Sequence, residues 1–551
     1  MQEFSLDLFF KLLSRAPQRE PTDLVIPVGY FDDTTLYRTF VMFVIFVVPA
    51  QLDTKKLYDA LERVVSRRGW GKLAATLEQN HRGELEHHIS QSSPKGRRAI
   101  TYDPVDHSDM LLAEHPAKWE VPCPPSDGQP AVVGNPDDLF ELVDGAELPK
   151  TLGDYLHSGR SQFGLRTVSF KDYTIIVLHW PHLAFDAMAL NCLLEAWSLA
   201  LGGQDDKIAE ALPPSPYPLE ELGKTTSEPH ILDDRRMSLF GIASWLLRNI
   251  YHLASPKEHR MVCVPNRFLK ELKKKAEEEL ENLDYGTAAK KAEESLSNNG
   301  MTANIPVKKP FLSKGDVLVA WLIRLFLLNS SEDSKRLVCV QQAYDSRSVL
   351  DHLLPPQKPF LGNCVGFLVT LLPISDVLTK PLGYLASAIR RSITEQRTRE
   401  QAEAYSSLVR QNHYTRSPPF FGNGSTPLYM FSNWQKANIY GFDLSGAAIH
   451  ERNEPLLPCY VQTVQKPYNF PDGIIILGED EEENVWFSGH KRKGEWTALE
   501  KYMKGVCPKH EIHPRSAPPD YGTAVEAIGQ TFAVVGMAVA TWYLGRFFPW
   551  N

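Results

Sequence analysis

A histidine and an aspartate four residues apart follow an apolar run that predicts a buried strand. The run extends from Tyr173 to Leu178 and leads into His182-Leu-Ala-Phe-Asp186. An imidazole has an ordinary pKa of about 6.5, so at neutral pH it can take a proton from a hydroxyl or amine in a cleft. We therefore expect His182 to be a general base and Asp186 to fix the local geometry.

The same spacing occurs again in His230-Ile-Leu-Asp-Asp234, so spacing alone does not identify the site. In a chain with 17 histidines, about one such pair is expected by chance. The second pair lies in a polar, proline-flanked segment without a preceding strand, which indicates a solvated loop or helix start. His182 is favoured because an apolar-periodic helix, with positions from Met188 to Leu199, follows only there.

The length of 551 residues, 43% of them hydrophobic, provides material for two domains of about 200 residues each and extensions. Strand and helix patterns alternate in both halves, which predicts an α/β fold with no internal repeat. A proline-rich stretch over 212–218 ends the first half. We predict an N-terminal domain over 1–215, a solvated crossover over 216–310 and a C-terminal domain over 311–515.

Two apolar segments raise the question of a membrane. Residues 40–50 are too short to cross a bilayer as a helix and predict a central strand. The segment 527–545 is uncharged and long enough to span, so we predict a transmembrane helix over 523–548 that holds a cytosolic body by its tail. The alternative is a terminal helix that packs on the body or mediates dimerisation.

Composition excludes several classes of protein. A formal net charge of −8 argues against general nucleic-acid binding, which needs a basic surface. Seven scattered cysteines fit neither a zinc cluster nor a disulfide framework, and they indicate a reducing compartment. The start of the chain is acidic where a secretory or mitochondrial leader would be basic. No glycine-rich nucleotide-binding loop is present, and we expect neither a metal nor a bound cofactor.

Further motifs follow in the second half of the chain. They are Ser313-Lys-Gly-Asp-Val-Leu318, Tyr344-Asp-Ser-Arg347, Gly362-Asn-Cys-Val-Gly366, Ser432-Asn-Trp434 and Tyr440-Gly-Phe-Asp443. Ser313 is typical of a helix cap. Cys364 lies in an apolar run with no histidine nearby in sequence, so we interpret its thiol as packing and not as a nucleophile.

Together with the His182 motif, these segments have the order and approximate spacing of one family. The chain resembles the BAHD acyltransferases, in particular the divergent fungal branch that includes trichothecene acetyltransferase-like enzymes. The resemblance extends from the N-terminus to about Lys509. It implies two chloramphenicol-acetyltransferase-like domains with mixed sheets and a central tunnel, which acyl-CoA and an acceptor enter from opposite sides.

The resemblance also implies residue roles. His182 would be the general base, whereas Asp186 would turn away and support its loop through a salt bridge. Asp443 matches the family aspartate that pairs with an arginine, which Arg347 would supply.

Ser313 and Lys314 match positions that sometimes contact the phosphates or pantetheine arm of CoA. Their alternative interpretation is a helix cap and a surface charge.

Two departures from the family pattern affect these expectations. Ala187 stands where the family usually has glycine, and Asp443-Leu-Ser-Gly-Ala447 replaces the family's Asp-Phe-Gly-Trp-Gly. The missing tryptophan cannot contribute an indole to the oxyanion site. Ser445 or backbone amides would have to replace it.

The implied activity is O-acyl transfer, most often acetyl transfer, from CoA to a hydroxylated fungal secondary metabolite such as a terpenoid or polyketide. We expect a monomer that forms no covalent intermediate. One alternative is a condensation-type enzyme supplied by a carrier protein, although Pro181 stands where that group usually has a second histidine. The other is a catalytically silent, membrane-tethered scaffold. Ala187 and the altered second motif, residues 443–447, would fit such a protein.

Overall fold

Two large sheets and one small sheet form the framework of the protein. The computed structural model describes residues 23–90, 99–145, 148–298, 311–413, 416–450, 452–467 and 470–504, with only the backbone of 283–298. Within these ranges, fifteen strands form sheets of three, five and seven strands. The predicted mixed α/β class is confirmed.

The five-stranded sheet has the order β13-β2-β8-β7-β5. Its strands are β2 (Phe40–Val48), β5 (Thr101–His107), β7 (Gly164–Phe170), β8 (Thr174–Pro181) and β13 (Tyr460–Pro467). Every residue of β2 and β8 is buried, as expected for apolar runs that form the middle of a covered sheet. The predictions of a central strand after residue 40 and of a buried strand before His182 are confirmed.

The seven-stranded sheet has the order β11-β10-β12-β14-β15-β9-β6. Its strands are β6 (Ala131–Gly134), β9 (Lys257–Val264), β10 (Leu337–Asp345), β11 (Val365–Pro373), β12 (Leu428–Asn433), β14 (Gly473–Glu479) and β15 (Val485–Arg492). The small sheet contains β1 (Leu24–Pro27), β3 (Thr76–Gln79) and β4 (Leu85–Ile89).

Ten α-helices cover the sheets in the described ranges. They are α1 (Thr54–Val65), α2 (Pro136–Val143), α3 (Ala187–Leu201), α4 (Leu239–Ala254), α5 (Asn266–Asn298), α6 (Lys314–Leu327), α7 (Ile374–Thr379), α8 (Leu382–Gln396), α9 (Arg399–Gln411) and α10 (Glu495–Met503). Among the residues that the structure describes, no helix has the length and apolar character to cross a bilayer. The segment predicted over 523–548 lies outside the described residues.

Three strands cross the domain boundaries predicted from the sequence. β13 comes from the C-terminal half of the chain but pairs with β2 in the five-stranded sheet. β6, from the N-terminal half, and β9, from the predicted crossover, lie in the seven-stranded sheet. The crossover is therefore more than a solvated helix and loop, because the apolar run Met261–Val264 gives it a buried strand. The two sheets are fixed to each other by this exchange.

Candidate active site

A cavity of about 760 Å³ lies between the two large sheets. Phe40 and Met42 of the five-stranded sheet form one wall, and Gln342 and Ile475 of the seven-stranded sheet form another. His182 lies in the lining as well. The volume is in the range of small-molecule sites, which commonly occur where two structural units meet.

The imidazole of His182 is held between aromatic rings at the end of β8. The His182 N–H donates to the Phe40 carbonyl at 3.1 Å, which continues the pairing of β8 with β2 by one residue. Its ring stacks on Tyr37 with a centroid distance of 4.3 Å and an interplanar angle of 2°, and the ring of Phe40 is edge-on at 5.2 Å. These contacts fix the plane of the imidazole while leaving the residue half-buried beside the cavity.

Burial also determines the charge of His182. It lowers the pKa of His182 to about 4, against the opposing effects of the residue's own backbone carbonyl, Asp186 and Asn363. The Nδ1 atom is enclosed and has no hydrogen-bond partner among the described residues. The ring is therefore neutral at pH 7.

Asp186 is fully engaged in structural contacts. One carboxylate oxygen caps α3 by accepting from the amides of Met188 at 3.1 Å and Ala189 at 3.0 Å. Both oxygens accept from the Arg347 guanidinium, at 2.9 and 3.0 Å, and the Cys364 amide donates at 2.8 Å. Burial would raise the pKa of Asp186, but the Arg347 charge and these donors hold it below its ordinary value. The carboxylate is ionised and faces its partners, not His182.

Arg347 connects this loop to the second half of the chain, but its partner is not the one expected from the sequence. In addition to Asp186, the guanidinium contacts Asp345 at 3.0 Å and donates to the Gly362 carbonyl at 2.8 Å. The predicted pairing of Arg347 with Asp443 is wrong. One Asp443 oxygen accepts from the amide of Ser445, two residues along the chain, at 2.9 Å and from the amide of Leu456 at 3.1 Å, so this carboxylate already has other partners.

The altered second motif is part of the scaffold and not of the cavity wall. None of the residues 443–447 is among those that line the cavity, so the structure does not place Ser445 at an oxyanion site. A Cβ atom on Gly446 would lie 2.4 Å from the Leu201 carbonyl, which shows how closely this turn packs on the end of α3. The indole that does line the cavity is that of Trp434, whose N–H donates to the Ser432 hydroxyl at 2.9 Å.

Ser313 and Lys314 both line the cavity at the start of α6, but their polar groups are engaged. The Ser313 hydroxyl caps the helix by accepting from the Asp316 amide at 3.2 Å. The Lys314 ammonium lies 3.2 Å from Glu479 and 3.1 Å from Glu483. Two carboxylates therefore neutralise the one lysine that the sequence singled out.

Two further cations, Arg397 and Lys436, line the same cavity and were not identified from the sequence. Arg397 donates to the Ser348 hydroxyl at 2.8 Å, and Lys436 has neither a hydrogen bond nor an ion pair with any described residue. Burial, followed by the Arg397 charge, lowers the pKa of Lys436. These two charges are available for an anion. Only the folded chain brings them together, and neither belongs to a recognisable motif.

A buried polar network fixes the backbone of His182 from behind. The side-chain amide of Asn363 donates to the His182 carbonyl at 3.1 Å and to Asp32 at 2.9 Å. The Lys72 ammonium lies 3.6 Å from the other Asp32 oxygen and donates to the Leu361 carbonyl at 2.7 Å. Asn363 falls within a motif of the second half, but no sequence signal identified Asp32 or Lys72.

Other candidates from the sequence lie outside this chemistry. The Nδ1 atom of His179 is 2.8 Å from the Tyr155 hydroxyl in the core of the five-stranded sheet. His230 stacks on Phe421 and does not line the cavity. Burial raises the pKa of the Cys364 thiol well above its ordinary value, which leaves it a poor nucleophile. Across the described part of the chain, no group of three or more histidine, cysteine or acidic side chains is arranged to hold a metal ion.

The amino-acid sequence is similar to those of known proteins. Residues 175–446 match the Transferase family. The transcriptional regulator calD of Penicillium decumbens is 33% identical over 517 residues, which cover 90% of this chain and 98% of calD. The acetyltransferase adrJ of Penicillium rubens is 28% identical over 514 residues, which cover 90% of this chain and 99% of adrJ.

Solved structures show the same fold. The TRI101 structure of F. graminearum complexed with ethyl coenzyme A has a TM-score of 0.62 at 12% identity. The complex of TRI101 with coenzyme A and T-2 mycotoxin has a TM-score of 0.61 at 13% identity. Each comparison covers 88% of this chain and 98% of the TRI101 chain.

We predict that Arg347→Ala destabilises the protein by about 3–5 kcal/mol at pH 7, because it leaves the buried Asp186 carboxylate without its counter-charge. The free energy of unfolding, measured by urea denaturation, checks this value. Arg399→Ala is the matched control, since Arg399 is 54% exposed and its pair with Glu403 should contribute at most about 1 kcal/mol. Equal losses in the two variants would contradict the structural role of the buried pair.

Proposed function

The chain belongs to the Transferase family as a divergent fungal member of the BAHD type and is an acyltransferase, and we propose that it transfers an acyl group from CoA to a hydroxyl group with His182 as the general base. The observation that carries this proposal is the half-buried, neutral imidazole of His182 beside a cavity of about 760 Å³. A neutral imidazole with a free nitrogen facing a substrate cavity is the chemical requirement for a base.

The structure supports a division of roles between the two ring nitrogens. Because the protein encloses Nδ1, we assign the proton of the neutral ring to that nitrogen, which leaves Nε2 as the proton acceptor. Nε2 takes the proton of the acceptor hydroxyl as its oxygen attacks the thioester carbon. The C–S bond then breaks, and the proton passes from the imidazolium to the leaving CoA thiolate. Since a thioester is already activated, no covalent enzyme intermediate is needed.

The proposed acyl donor is acyl-CoA, acetyl-CoA in the first instance. This proposal is supported by the fold shared with TRI101, whose structures contain coenzyme A or ethyl coenzyme A. Arg397 and Lys436 are the residues proposed to receive CoA phosphates, because both line the cavity and Lys436 has no acidic partner among the described residues. Lys314 is less suitable, since it forms ion pairs with Glu479 and Glu483, whereas Asp345 acts on Lys436 without forming an ion pair.

The proposed acceptor is a lipophilic alcohol of secondary metabolism. The cavity beside His182 is walled by Phe40, Met42, Phe470 and Ile475, which suit an apolar skeleton. The named activity of adrJ, an acetyltransferase, and the T-2 mycotoxin in a TRI101 complex are consistent with this class. We also propose that the two halves of the chain form two domains and that the protein is a monomer.

A second candidate function is a non-catalytic, regulatory one, because calD is named a transcriptional regulator and shares 33% identity with this chain. Ala187 and the altered second motif would fit a silent relative. Against it, His182 retains its fixed ring plane and its access to the cavity, and a net charge of −8 does not favour DNA binding. A carrier-protein-dependent condensation enzyme is the other alternative.

An assay of the full-length chain with acetyl-CoA and a panel of hydroxylated terpenoids and polyketides, with products detected by mass spectrometry, distinguishes these functions. Acetylated product from free acetyl-CoA supports the proposal. Product formed only when the acetyl group is attached to a carrier protein supports the condensation-type reaction. No transfer from either donor, with a folded protein, supports the regulatory role.

We predict that His182→Ala lowers turnover by about 10²- to 10⁴-fold, the usual contribution of a general base. The melting temperature should stay close to that of the wild type, because His182 lies at the cavity surface. His230→Ala is the matched control, since His230 has the same four-residue spacing to an aspartate but lies away from the cavity. A folded His182→Ala variant with wild-type turnover would refute the role of base.

We also predict that Lys436→Ala raises the KM for acetyl-CoA several-fold, whereas Lys314→Ala changes it little. Both lysines line the cavity, but only Lys314 is neutralised by carboxylates. Initial rates at varied acetyl-CoA and salt concentrations measure the effect, which should shrink as salt screens the phosphate contact. The opposite ranking of the two variants would move the proposed phosphate site to α6.

A further inference from the structure

One region of the cavity carries polar side chains that the acyl transfer does not use. His259 of β9 and His490 of β15 are cross-strand partners, and their rings stack with centroids 4.0 Å apart at an angle of 17°. Both residues line the cavity. His259 is only 4% exposed, and its buried Nδ1 has no hydrogen-bond partner among the residues that the structure describes, with the Asp137 carboxylate 3.9 Å away. A buried polar atom without a partner needs an explanation, and an oxygen atom of a ligand beside the ring would provide one.

An aromatic wall joins this histidine pair to His182. The Phe40 ring contacts the imidazole of His182 at 5.2 Å and the ring of Phe470 at 6.1 Å. Pro471, which follows Phe470, forms a β-bridge with His490. A molecule lying along Phe40 and Phe470 therefore has His182 at one end and the histidine pair at the other.

The facing sheet supplies a further unpaired polar atom. Thr463 and Gln465 of β13 line the cavity, and the Thr463 hydroxyl is buried with no hydrogen-bond partner in the described part of the chain. In the register of the sheet, Gln465 faces Met42, two residues from Phe40, and Thr463 faces Val44, four residues from Phe40. Separations of two and four residues along a strand correspond to roughly 7 and 14 Å, which is the span of a fused-ring skeleton.

The charges around the pair define the kind of oxygen that it can bind. Burial is the main cause that lowers the pKa of His490 to about 4 and that of His259 well below its ordinary value, and Lys466 contributes to both shifts. Arg260 also lowers the pKa of His259, and Lys257 lowers that of His490. Asp137 has the opposite effect on the pKa of His490, and its carboxylate pairs with Lys466 at 3.3 Å. Both rings are therefore neutral, and a neutral imidazole donates with one nitrogen and accepts with the other. A hydroxyl group, which also donates and accepts, is the complementary partner.

We propose that His259 and His490 form a second oxygen-binding site, which holds a hydroxyl group of the acceptor remote from the one that is acylated. The site rests on the proposed function, because it assigns the acceptor to polyhydroxylated, apolar compounds. It selects both the substrate and the position that is acylated, since the remote hydroxyl determines which oxygen reaches His182. The two histidines bind and orient the acceptor, and they take no part in proton transfer.

The test uses pairs of terpenoid acceptors that differ by one remote hydroxyl group, a diol and its mono-ol. With the full-length chain and acetyl-CoA, the wild type should prefer the diol in kcat/KM by roughly 10-fold, mainly through KM. His259→Phe and His490→Phe keep a stacked ring but remove the nitrogens, so this preference should disappear. His87→Phe is the control, since His87 is 2% exposed and lies away from the cavity; it should keep the preference.

A second measurement separates this site from the proposed function. Diethyl pyrocarbonate modifies neutral histidines, and mass spectrometry of peptides reports the modification of His490. Diols should protect His490 more than mono-ols do, whether or not an acceptor is turned over. Absence of transfer to every acceptor would refute the proposed function alone. A preference that survives in both folded phenylalanine variants, or diols that leave His490 unprotected, would overturn the second site.

Discussion

The buried ion pair between Asp186 and Arg347 is the interaction on which the site depends. The carboxylate comes from the loop after β8 and the guanidinium from the loop after β10, so the pair fastens two distant parts of the chain at one point. Taking both charges out of water is costly, and only good geometry repays that cost. Here the cost is offset by the bidentate contact with Arg347, by the helix cap and by the hydrogen bond from the amide of Cys364. Asp186 thereby positions the residue that does chemistry without exchanging a proton with it.

Structural contacts also position His182 itself. Its ring plane is set by Tyr37 and Phe40, and its carbonyl is held by Asn363, which is in turn held by Asp32. A base fixed in this way needs little reorganisation when the substrate binds, which is how an enzyme gains from orientation. Burial has a second effect, because it keeps the imidazole unprotonated at neutral pH. The aromatic environment therefore determines both the geometry and the charge of the proposed base.

Sequence patterns predicted the local parts of this architecture well. The strands before His182 and after residue 40, the helix after Asp186 and the Ser313 cap each follow from a continuous run with its own periodicity. Contacts between distant segments were not predictable in this way. The family pattern predicts Asp443 as the partner of Arg347, whereas in the fold the partner is Asp186. Asp32, Lys72, Lys436 and the histidine pair lie in no motif, and only the folded chain brings them to the site and its surroundings.

The pH dependence of acyl transfer to an alcohol, which does not itself titrate near neutrality, tests the central claim most directly. The claim is that a half-buried, neutral His182 is the base. Because burial lowers the pKa of His182 to about 4, the base form persists as pH falls until that value is approached. We predict that kcat/KM for the acceptor is constant from about pH 8 down to about pH 6 and falls only as His182 becomes protonated near pH 4. A fall centred on the ordinary imidazole value of about 6.5 would contradict the account, since it would require a solvent-exposed base.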